Sequence, residues 1–128
     1  MSYCRYKTVP WKFQEAIDHV KSALQDEGFG ILMEIDVKDT LKKKLDVDFP
    51  EYRILGACNP PFAYRALQAE ERIGLMLPCN VIIRELPTGV VEVAAIDPVA
   101  SMQSIKNPEL GNVANDIKEK LQRVIKNL

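Results

Sequence analysis

The chain reads as an α+β domain in which two long helices cover one side of a sheet. Two observations predict this. Amphipathic helical patterns bracket the chain, one near Phe13–Leu24 and one near Asn112–Asn127. Between them lie short apolar runs, each bounded by Gly, Pro, Asn or Asp. A sheet buries its apolar face against a helix layer, so this order has one natural layered solution. With 128 residues the chain suits one domain, spanning residues 1–128.

The elements follow in order. Tyr3 to Thr8 predicts a short first strand. Pro10 suits a first helical turn, where a missing N–H costs nothing. Phe13, Ala16, Ile17, Val20, Ala23 and Leu24 then recur at helical spacing. Gly28 is placed to close that helix in a left-handed conformation. Phe29 to Asp36 reads as a strand, and Asp36 as the cap of a short helix through Leu41 and Leu45. Tyr52 to Cys58 is a further strand. Asn59 then stands at an N-cap position with Pro60 behind it, ahead of a helix carrying Phe62, Ala63, Ala66 and Leu67. Pro78 interrupts the apolar run Ile73–Leu77. Asn80–Leu86 and Val90–Ile96 flank Pro87-Thr88-Gly89 as a hairpin. Asp97-Pro98 and Asn107-Pro108 repeat the cap-then-proline chemistry. The last helix puts Val113, Ile117, Leu121, Val124 and Leu128 on one face.

Composition removes several function classes. Apolar residues make up 47% and charged residues 27%, as in an ordinary globular protein. Seventeen basic and eighteen acidic residues leave a net charge of −1. That balance supplies no field for nucleic acid or anionic lipid. Lys42-Lys43-Lys44, the one basic run, reads as a solvated helix face. No stretch reaches the ~18 apolar residues of a membrane span. The start of the chain lacks a signal-peptide core. A cytoplasmic protein with reduced thiols is the expectation, since three cysteines without motif spacing make no secreted disulfide framework. Nucleotide-binding glycine loops, HExxH, CxxCH and EF-hand patterns are all missing. The single histidine, His19, reads as a surface residue on the first helix, so a multi-histidine metal site within one chain is excluded.

The candidate site is a near-mirrored pair of Cys-Asn dipeptides beside prolines, Cys58-Asn59-Pro60 and Pro78-Cys79-Asn80. Whether they meet at one sheet edge depends on the fold. Cys58 precedes a helix N-terminus, where the dipole favours a thiolate. It is a reactive thiol, a soft-metal ligand, or a small buried side chain. Two thiols make only half a tetrahedral zinc site. Asn59 is a helix cap, while Asn80 has no such explanation. Asp97 either caps a turn or brings a carboxylate to the same sheet end. Arg65 offers a cation on the helix after Cys58.

Several segments together resemble a family of bacterial and archaeal domains of unknown function, number 302. They run from Glu27-Gly28-Phe29-Gly30 through Tyr52–Pro60, Ala63–Leu67 and Ile73–Val81 to Ala95-Ile96-Asp97-Pro98. The resemblance implies a curved antiparallel sheet with helices on one face, similar to the TATA-binding-protein-like fold. It also implies a homodimer, and it groups Cys58, Asn59, Cys79, Asn80 and Asp97 as one motif set. It brings no activity with it. Three readings of function stand at this point. The first is a non-catalytic module binding a small ligand or soft metal. The second is a thiol-dependent enzyme or redox sensor using Cys58 and Cys79. The third is an interaction domain.

Overall fold

The computed structural model describes residues 2–128. Five strands run in chain order as β1 (Cys4–Val9), β2 (Gly30–Asp36), β3 (Tyr52–Cys58), β4 (Cys79–Glu85) and β5 (Val91–Ile96). Five helices join them: α1 (Phe13–Asp26), α2 (Val37–Leu45), α3 (Pro60–Ala69), a short α4 (Pro98–Ser101) and α5 (Pro108–Lys126). A 3-10 turn covers Ile73–Met76. The fold is therefore α+β, and the expected element order holds throughout.

The strands form one open antiparallel sheet in the order β1-β5-β4-β3-β2. Side chains alternate between the two faces. Leu55, Val81, Ile83 and Val93 are fully buried on the face that meets α1 and α5. From α1, Ala16, Ile17, Val20 and Leu24 close onto this layer. Ile117, Leu121, Val124 and Ile125 of α5 do the same. Charged residues share the core face at its margin, Arg53 among them. Arg53 pairs with Glu34 and with Asp36 at 3.5 Å, and its guanidinium lies 5.8 Å from the Phe13 ring centre. Lys21 meets Glu34 at 2.7 Å, and this bond is the chief cause holding the Glu34 carboxyl below the usual range.

Helix ends follow their local chemistry. Gly28 sits at φ +86° and its N–H donates to the Gln25 carbonyl, while the Phe29 N–H donates to that of Leu24. This double closure turns Phe29 into the core. Asp36 accepts from the Asp39 N–H at 3.0 Å, and Asn107 caps α5 through Glu109 and Leu110. Gly89, also at φ +86°, completes the hairpin. Two boundaries move from expectation. Helix α1 starts at Phe13 rather than at Pro10, and α5 starts at Pro108, a full turn before Asn112. Helix α5 begins where the Asn107 side chain accepts from its first N–H groups, ahead of the apolar pattern, whereas α1 begins with its apolar pattern and has no side-chain cap.

A second apolar cluster, separate from the sheet core, joins Ala66, Ile73, Met102, Leu110, Val113 and Ala114. Helix α5 thus serves two cores, its first half packing on α3 and α4 and its second half on the sheet.

Close approach fixes the seam between β2, β3 and β4. A Cβ on Gly56 would fall 2.8 Å from Met33 Cγ and 2.9 Å from Pro78 Cγ. Gly56→Ala is accordingly expected to destabilise the fold by about 1–3 kcal/mol, the usual cost of overpacking. Urea unfolding of the two proteins measures it, and an unchanged midpoint would contradict the tight fit.

A candidate apolar cavity carrying two thiols

A cavity of about 300 Å³ lies at the junction of the two cores. The sheet contributes Ala57, Cys58 and Cys79. Phe62, Ala63, Ala66 and Leu67 come from α3, and Val113, Ala114 and Ile117 from α5. Phe29, Leu77, Pro78, Pro98 and Met102 fill the remaining wall. None of the side chains lining it carries a charge.

Strand pairing explains how the thiols come together. Ala57 pairs with Cys79 across β3 and β4, so the end of β3 and the start of β4 lie side by side. Cys79 is buried and Cys58 half-buried, and all three cysteines of the chain are free. Burial pushes the Cys79 thiol up from 9.0 to about 11, and charge on neighbouring Cys58 pushes in the same direction. Cys79 is thus a neutral thiol in an apolar wall at physiological pH.

Asn59 joins the two thiols, though not as the expected side-chain cap. Its backbone occupies the N-cap position, but its carboxamide makes no capping bond to α3. Instead Nδ2 donates to the Glu27 carbonyl at 3.1 Å and lies against Gly28. The buried carboxamide ties the exit of α1 to the entry of α3.

The other sequence candidates lie elsewhere. Asn80 is exposed on the open face of the sheet, opposite Gly56. Neighbouring positions of a strand face opposite sides, so strand alternation separates Cys79 from Asn80. Asp97 caps α4 through Val99 and Ala100 at 2.9 and 3.3 Å and pairs with Lys118 at 3.1 Å. It lines a separate cleft of about 230 Å³ with Cys4 and Arg5, while Pro98, its neighbour in sequence, reaches the cavity. Arg65 pairs with Asp116 at 3.3 Å and lies 5.2 Å from the Phe62 ring centre, where Lys120 also approaches. It touches the cavity only through that ring. His19 is exposed and stacks on Trp11 at 3.9 Å. Among the described residues, no group of three or more His, Cys, Asp or Glu side chains could hold a metal ion. No helix is long and apolar enough to cross a membrane.

The helix-covered sheet with its apolar cavity defines a class of small α+β proteins. The chain belongs to the DUF302 family, a domain of unknown function whose model matches residues 5–128. A crystal structure of an uncharacterized conserved DUF302 protein from Bacillus stearothermophilus superposes with a TM-score of 0.92. It is 27% identical in sequence, and 98% of each chain is covered. No curated protein matches the chain.

The raised Cys79 thiol carries a pH signature. Below pH 9 both folded and unfolded chains hold this proton. Between pH 9 and about 11 the unfolded chain releases it while the folded chain keeps it. Stability therefore falls across that window, by about 2–3 kcal/mol from this group. Denaturation at several pH values should show a shallower fall in Cys79→Ala, and parallel curves for the two proteins would contradict the assignment.

Proposed function

We propose that the protein is a binding module for a small, uncharged, apolar ligand held in the cavity between sheet, α3 and α5. The observation that carries this reading is a preformed space of about 300 Å³ with no charged side chain on its wall. Ligand sites are typically concave and mostly apolar, and start at about this size. The alternatives have less support. A soft cation would find only the two thiols here, half of a tetrahedral donor set. Burial, which pushes the Cys79 thiol up to about 11, leaves little Cys79 thiolate for exchange with a disulfide partner.

The test is titration with 1-hexanol, followed by amide shifts in nuclear magnetic resonance. Binding with Kd below about 1 mM, worth ~4 kcal/mol, is expected at residues of α3 and α5. Ala63→Phe fills the cavity and should abolish binding while leaving the fold intact. Cys58→Ala with Cys79→Ala should preserve binding, because the wall stays apolar. Binding that survives Ala63→Phe would place the ligand elsewhere and sink the reading.

A second copy of the chain is the partner we infer, seated on the open sheet face. Tyr6, Ala94, Ile82, Ile54 and Ile35 stand in register across all five strands. Beside this apolar row, Arg84 pairs with Glu92 at 2.8 Å, which leaves the face electrically neutral. A twofold interface sets one patch against itself, so a face of one sign would repel and a neutral one does not. Sedimentation at micromolar concentration should give a dimer mass, and Ile82→Lys a monomer. A monomeric parent protein would refute this pairing.

A further inference from the structure

The cavity wall is unsealed on one side. Leu32 and Leu67 both line it, yet they remain 67% and 44% exposed. Leu32 owes its position to backbone geometry. The β2–β3 register shifts between Ile31 and Met33, so Leu32 has no partner in the ladder and is freed from the core face. The 3-10 turn that leads into Leu77 and Pro78 adds exposed Leu75 and Met76. Single exposed apolar side chains are ordinary. Here, however, Leu32 and Leu67 each belong both to the wall of a buried cavity and to the surface in water. An apolar patch of this kind marks a binding surface.

Resting on the binding reading above, we propose that the ligand is a linear hydrocarbon chain longer than the cavity. Its inner carbons fill the cavity, its outer carbons lie across Leu32 and Leu67, and its polar end stays in water. Three arguments converge on this shape. An apolar cavity of ~150 Å³ takes one benzene ring, so twice that space holds about twelve carbons. A compact molecule of that size would fill the interior and leave the rim bare. The interior also offers few partners for a polar end. The wall has no charge, and its one carboxamide, Asn59, already gives an N–H to the Glu27 carbonyl. An unpaired polar group buried there would cost several kcal/mol. A chain with its polar group at one end meets both conditions, a dry interior and a partly wet apolar rim.

The test uses alkyl dimethylamine N-oxides of eight, ten, twelve and fourteen carbons, each below its micelle concentration, with calorimetry as the readout. Full burial of a methylene tightens binding about fourfold. Affinity is expected to rise about two- to fourfold per methylene up to fourteen carbons. In the double variant Leu32→Ser with Leu67→Ser, the series should flatten beyond the chain that fills the cavity, and 1-hexanol should lose less affinity than the fourteen-carbon oxide. Both substitutions are at exposed positions, so the fold is retained. A plateau at or below twelve carbons in the parent protein overturns the linear-chain proposal and leaves the cavity reading standing, provided 1-hexanol still binds. An unchanged slope in the double variant overturns it equally, as does an equal loss for 1-hexanol and the longest oxide. Failure of 1-hexanol and of every oxide removes both readings together.

Discussion

The site depends on one steric constraint, the absence of a side chain at Gly56. Met33 and Pro78 both press into the space that a Cβ would occupy. Met33 belongs to β2, Gly56 to β3, and Pro78 immediately precedes β4. One missing methyl group therefore lets three consecutive segments meet at a single point. The register follows from that meeting. Ala57 comes opposite Cys79, both thiols arrive at the same end of the sheet, and Pro78 takes its place in the cavity wall. The β2–β3 register shift lies at this same point, between Ile31 and Met33.

The cavity itself results from an incomplete merger of two cores. The larger core fills the space between sheet, α1 and α5, and the smaller one gathers α3, α4, the 3-10 turn and the start of α5. Each is closed by its own side chains. Where they meet, the wall residues are small on the helices, with Ala63 and Ala66 on α3 and Ala114 on α5. Protein interiors normally leave few voids larger than a water molecule. A space this large, bounded by alanines and two thiols, has lost the contacts that larger side chains would have made there. The fold tolerates it because α5, nineteen residues long, is anchored in both cores.

Much of this architecture was legible in the sequence, and the reasons are local. Gly28, Asp36, Asp97 and Asn107 each announce a helix boundary through chemistry that acts over two or three residues. Cys58 and Cys79 stood out because both lie at strand ends beside prolines, but their meeting depends on the pairing of β3 with β4, which the sequence does not show. Asn59 was read as a cap because the sequence shows only its own helix. Its real partner, the Glu27 carbonyl, lies thirty-two positions away. Asn80 was grouped with Cys79 by adjacency, although strand alternation alone assigns them to opposite faces. The cavity had no sequence signal at all. Ala63, Ala66 and Ala114 look like ordinary helix residues, and only the tertiary arrangement turns them toward a shared void. Strand order was hidden for the same reason, since β1 pairs with the strand most distant from it in the chain.

That pairing has a consequence for how the chain comes into being. Cys4 stands opposite Ile96, so β1 finds its neighbour only after the other four strands have been synthesised. Strands β2 to β5 can assemble by successive nearest-neighbour pairing, whereas β1 must wait through nearly the whole of translation. Its sequence suits that wait. Arg5, Lys7 and Thr8 make it too polar to stick to a stray strand, and the same charges guard the free edge it presents once docked. Strand β1 is written to stay unpaired until β5 arrives.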